Sequence, residues 1–130
     1  CAMTLRSPLA RVLNHGAAHD GVGHWIVERV TALALAPLSL WLLISLLALP
    51  HLDYISVSAW VASGWNPVWL SLLVALSAWH SWLGVQMVVE DYVHGFGART
   101  TTLLLSTCVH TLLALSGVYA VLHTVFRGVP

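Results

Sequence analysis

Three stretches of about 20 or more residues in this chain contain no Asp, Glu, Lys or Arg, and each is long enough to cross a bilayer. Hydrocarbon offers no water to pair backbone N–H and C=O groups, so such segments are expected to be helices, which pair them internally. The soluble alternative fails on composition. A soluble domain of 130 residues needs charge to cover its surface, yet 8% of these residues are charged and 58% hydrophobic. The expected class is all-α, an integral membrane protein with three transmembrane helices. Five basic and five acidic residues balance to a formal net charge of +0, and no nucleic acid is expected as a partner.

The spans predict two units. Residues 1–24 carry Arg6, Arg11, His15, His19, Asp20 and His24, broken by Gly16, Gly21 and Gly23, and show no helical periodicity; they read as a polar tail. Residues 25–127 read as a three-helix transmembrane domain, with helices at about 25–48, 67–92 and 99–126. Glu28 and Arg29 fall in the first turns of the first helix, Trp25 marks its interface, and Pro37 is expected to kink it. The connection over 49–67 has no Lys or Arg, and its Tyr54, Trp60 and Trp65 suggest a short element lying among headgroups. Pro67 suits the first position of the second helix. Cys1 and Cys108 lie in the tail and in the third run, so neither a disulfide between them nor a CxxC metal site is expected. No secretory pattern precedes the first run, and Met3 reads as a natural start.

Orientation follows from the arginines. Arg6, Arg11 and Arg29 lie before or at the start of the first helix, Arg99 lies between the second and third, and Arg127 alone lies at the far end. The positive-inside rule then predicts a cytoplasmic N-terminus and a periplasmic C-terminus. Glu90, Asp91 and Tyr92 fall at the cytoplasmic interface, at the level expected for Arg29. His80, twelve residues before Tyr92, falls about 18 Å deeper, close to the midplane.

An ionisable residue at that depth is costly and needs a partner. Two readings of His80 fit: one hydrogen bond across a helix interface, or an axial ligand to haem iron. Gly84, a turn further on the same face, leaves room for a flat ring, with Ser77 and Ser81 as small neighbours. Spacing does not choose, because small residues are common wherever membrane helices pack. His110 is equally deep and is a second candidate, although Thr107, Thr111 and Ala114 around it favour an interhelical hydrogen bond. His51 and His123 lie near the outer interface, where imidazole needs no special role. Asp91 returns to nearly the face of His80, with Tyr92 adjacent. The pair reads either as a solvated helix end with an aromatic anchor or as a quinone site, where a phenol donates to a carbonyl oxygen. Arg29 reads either as a topology-setting charge or as a cation for a haem propionate or a quinone oxygen.

The stretches "HWIVERVTALAL" and "HSWLGVQMVVEDYV", with the three-helix layout over about residues 21–127, resemble the hydrophobic membrane anchor of succinate dehydrogenase, respiratory complex II, in its alphaproteobacterial and mitochondrial-type forms. The His–x3–Gly–x6–Asp–Tyr spacing carries most of the resemblance and the third helix adds little. It implies a subunit that is not itself catalytic, working in a bacterial inner membrane as part of a heteromeric helix bundle. Its implied partners are a flavoprotein that oxidises succinate, an iron–sulfur subunit, a companion cytochrome b anchor and membrane lipid. Its implied cofactors are haem b and ubiquinone. Residue by residue, it implies His80 as a haem iron ligand with the second ligand from the companion anchor, and Arg29 near the propionates. Tyr92 is implied as donor to a quinone carbonyl, and Asp91 as the acid paired with an arginine of the companion. His24 and His110 receive no role from it. The contrasting reading is a cofactor-free three-helix scaffold or assembly protein. A further one, another type of cytochrome b subunit, calls for several ligand histidines in one chain, and only His80 and His110 are at suitable depth.

Overall fold

A computed structural model describes residues 16–127, with side chains described from Val22 onward. Its elements are helices α1 (Gly16–Leu47), α2 (Tyr54–Ala62), α3 (Asn66–Tyr92) and α4 (Phe96–Arg127). Three of them are long and apolar enough to cross a membrane: Val22–Leu47, Asn66–Tyr92 and Phe96–Arg127, of 26, 27 and 32 residues. At about 1.5 Å per residue each exceeds the roughly 30 Å of hydrocarbon it would have to cross.

α1 starts at Gly16, inside the segment expected to be a tail, and runs on through Pro37. The polar stretch lacks an apolar stripe, but once a long helix is nucleated each added residue gains a bond without needing one. Residues 1–15 of the expected tail lie outside the described part. The connection after α1 holds a short helix, α2, as expected. Its N-cap residue, Asp53, is extended and makes no side-chain capping bond. The neighbouring Ser56 side chain nonetheless holds the Asp53 carboxyl below its ordinary value. At the other end the Trp60 carbonyl accepts from Asn66 Nδ2 at 2.7 Å and from Ser63 Oγ at 2.9 Å. The chain reverses at Gly64, whose φ of 54° is a left-handed conformation that costs a residue with a Cβ roughly 1–2 kcal/mol. Pro67 follows in the first turn of α3, where its missing N–H has no helical partner to lose. α4 begins at Phe96, three residues ahead of Arg99, whose N–H donates to the Gly95 carbonyl at 2.8 Å.

α3 is the central element. It packs against α1 on one side and α4 on the other, while α1 and α4 make no comparable contact among the described residues. α2 leans on α3 and α4, and its Trp60 stacks on Trp41 of α1 with ring centroids 5.8 Å apart. At Gly117 an added Cβ would lie 2.6 Å from Val74 Cγ1, so α3 and α4 approach there as closely as side chains permit. Among the described residues, Leu38, Leu83 and Val89 are the buried apolar side chains and Thr31 and Ser58 the buried polar ones. Most leucines face outward, as helices do whose solvent is lipid or another chain's apolar surface.

Candidate functional site

Thr31 is one of the few hydroxyl residues of α1, and it is 4% exposed. Its Oγ1 donates back to the Glu28 carbonyl at 2.9 Å, a local bond open to a helical threonine. The same oxygen lies 2.9 Å from Nδ1 of His80 on α3. A hydroxyl carries one proton and two lone pairs, so with its proton on Glu28 the oxygen accepts from the imidazole. Nδ1 of His80 is therefore the protonated nitrogen. Nε2 keeps its lone pair and makes no hydrogen bond among the described residues, and the side chain is half-buried.

His110 is bound differently. Its Nδ1 donates to the Ser106 carbonyl at 2.8 Å, and its Nε2 accepts from Ser81 Oγ at 3.2 Å. Both ring nitrogens are occupied inside the chain, and the residue ties α4 to α3. Ser81 thus serves the α4 side of α3 and is not a small neighbour of the His80 face. Beside it, Trp82 Nε1 donates to Thr107 Oγ1 at 3.0 Å. Gly84 does border open space: a Cβ there would meet nothing within 4 Å.

The contact between Thr31 and His80 also sets the register of α1 on α3. Arg29, two residues before Thr31, lies about 3 Å from the level of His80 along the helix axis, whereas Tyr92 lies about 18 Å away. Arg29 and Tyr92 were expected at one level, and the structure separates them. The reason is the early start of α1, which places Glu28 and Arg29 well inside the helix instead of in its first turns. The Arg29 guanidinium sits over the Trp25 ring, 5.4 Å from the centroid.

Asp91 and Tyr92 end α3 and are exposed, Tyr92 to 79%. The Asp91 carboxylate and the Tyr92 hydroxyl make no hydrogen bond or ion pair among the described residues. The neighbouring acid, Glu90, takes the local cation, with Arg99 at 3.4 Å and Gln86 Nε2 at 3.2 Å. His24 Nε2 and Gln86 Oε1 are buried with no hydrogen-bond partner among the described residues. They lie toward the α1 N-terminal side of the Thr31–His80 pair, by seven residues on α1 and six on α3. Sequence reasoning missed Thr31, although a hydroxyl two residues from Arg29 in an apolar helix was a visible signal.

Residues 3–121 match the family of succinate dehydrogenase/fumarate reductase transmembrane subunits. The chain belongs to that family. Among its relatives, the succinate dehydrogenase hydrophobic membrane anchor subunit of Rickettsia conorii is 30% identical over 112 residues, covering 84% of this chain and 89% of the relative. The subunits of the same description from Rickettsia felis and Rickettsia bellii are 35% and 34% identical, covering 75% and 76% of this chain and 83% and 79% of their own lengths. No solved structure gives a significant match. The family match reaches from ahead of α1 to near the end of α4, so it includes every candidate residue from Arg29 to Tyr92.

Proposed function

We propose that this chain is the hydrophobic anchor subunit of a succinate:quinone oxidoreductase, holding the dehydrogenase subunits on a bacterial inner membrane and helping to bind haem b and ubiquinone. The observation that carries the reading is His80, whose Nδ1 is bonded within the chain while Nε2 is left with a free lone pair, in a chain of this family. Neutral imidazole nitrogen is a fitting axial donor for haem iron, and the open space at Gly84 suits the approach of a flat ring. Haem iron held at His80 would take its second protein ligand from the companion cytochrome b anchor that the resemblance implies. When bound, haem b supplies a one-electron redox centre. Arg29, close to the level of His80, is the fixed cation for a propionate.

Tyr92 donates its O–H to a ubiquinone carbonyl, and Asp91, unpaired here, accepts an arginine of the companion. The separation of Arg29 from Tyr92 supports assigning the arginine to haem instead of quinone. The outward-facing leucines supply the surface for lipid and the companion anchor, and the flavoprotein and iron–sulfur subunits dock at the cytoplasmic side, where the α1 N-terminus and Tyr92 lie.

The test is purification of the intact assembly with a tag on this chain, followed by a reduced-minus-oxidised optical spectrum. Co-purifying flavoprotein and iron–sulfur subunits with a sharp haem b band that disappears in His80→Ala support the reading. A pure preparation with no haem band and no such partners would establish the scaffold reading instead.

A further inference from the structure

An imidazole that ligates iron through Nε2 must carry its proton on Nδ1, and that proton needs an acceptor if it is not to be left unpaired in hydrocarbon. Thr31 supplies that acceptor from a different helix. Its hydroxyl proton is committed to the Glu28 carbonyl at 2.9 Å, so it meets Nδ1 with a lone pair at 2.9 Å. Thr31 is buried and β-branched, and the back-bond to Glu28 fixes the hydroxyl direction, so the acceptor is held in place before any ligand arrives. The two nitrogens flank Cε1, and their outward directions diverge widely. Anchoring Nδ1 to α1 turns Nε2 away from α1.

His110 supplies the contrast within the same chain. Its Nδ1 uses the carbonyl of its own helix, and Ser81 then fills Nε2. Two histidines of the same helix pair thus have the same Nδ1-protonated form, and what differs is whether Nε2 is engaged. At His80 the residue that determines the form and the aim is Thr31.

We propose that Thr31 is the positioning residue for His80: through the chain Nδ1–H to Oγ1 to the Glu28 carbonyl it fixes the tautomer and orientation of the imidazole and raises its donor strength toward iron. This rests on the reading of His80 as haem ligand. A ligating histidine that donates its other ring N–H to an acceptor becomes more basic and stabilises the ferric state over the ferrous. Thr31→Val keeps the shape and removes the acceptor, whereas Thr31→Ser keeps the acceptor.

The experiment is a potentiometric titration of haem in the purified assembly, with haem and subunits quantified for wild type, Thr31→Val, Thr31→Ser and His80→Ala. In Thr31→Val the midpoint potential should rise; a tenfold loss of ferric preference corresponds to about 59 mV for a one-electron couple. Thr31→Ser should titrate close to wild type. Loss of haem from Thr31→Val at wild-type subunit yield, with haem retained in Thr31→Ser, also supports the proposal. Loss of subunits together with haem in Thr31→Val overturns it, because that marks an ordinary packing contact, and so does a wild-type potential in both Thr31 variants. If haem survives His80→Ala, the ligand assignment itself fails, whatever the Thr31 variants show.

Discussion

At His110 both imidazole nitrogens are occupied, and that difference from His80 is what makes the two histidines testably distinct. His110→Ala should leave the haem spectrum intact while costing about 1 kcal/mol of stability, since it removes an interhelical bond and leaves Ser81 without its partner. Heating the solubilised assembly while following the haem band reads both at once; loss of the band at room temperature in this variant would reverse the assignment. Tyr92 separates a hydroxyl from a ring. At 79% exposure most of its side chain is left uncovered by the described residues, so Tyr92→Phe should be structurally mild. If the hydroxyl holds a quinone carbonyl, the oxygen gains negative charge as it is reduced and depends more on its donor. Quinone reduction should then fall about tenfold, which corresponds to ~1.4 kcal/mol of lost stabilisation. Succinate oxidation with a soluble dye acceptor should persist. Equal quinone reduction in the two proteins would make Tyr92 an aromatic anchor only.

Among the elements, α3 is held on both sides, and its contact with α4 has a definite tight point. The Cβ of any residue placed at 117 would lie 2.6 Å from Val74 Cγ1, and valine is too stiff at χ1 to swing away cheaply. Gly117→Leu should therefore push the helices apart and destabilise the fold by about 1–3 kcal/mol. Val74→Ala, which opens space at the same point, should return part of that loss in the double variant. Thermal midpoints of the four proteins form the cycle, and additive effects would show that the two residues do not meet in the assembled protein. The α1–α3 contact carries one side-chain hydrogen bond, Thr31 to His80, where α3–α4 carries two, Ser81 to His110 and Trp82 to Thr107. Gly84, bordering open space, is not needed for packing within this chain; the room it leaves belongs to whatever lies outside it.

For the whole molecule, three spans among the described residues would put the two ends of that stretch on opposite sides of a membrane, and the positive-inside rule applied to the arginines predicts a cytoplasmic N-terminal side. A tag ahead of the chain should be protected in spheroplasts and one after Pro130 cleaved by added protease. Cleavage of the N-terminal tag alone would invert the orientation. The row-like arrangement, with α1 and α4 on opposite sides of α3, leaves long apolar faces uncovered, which fits a subunit completed by a companion anchor.

The sequence by itself determined the three spans, because hydrocarbon forces a helix wherever about 20 residues avoid charge, and length alone reports this. It also located α2 between aromatic residues and His80 in the interior of α3, since position along a helix follows from counting at about 1.5 Å per residue. The tertiary structure decided the start of α1, the level of Arg29, the side of α3 on which Ser81 is used, and which of His80 and His110 keeps a free nitrogen. These depend on the rotation and register of one helix against the next. A soluble helix betrays its packing face by an apolar stripe, but these helices are apolar nearly all round, so the sequence carries little information about which face meets which. Single polar contacts made across the interface, Thr31 to His80 and Ser81 to His110, supply what the missing stripe leaves open.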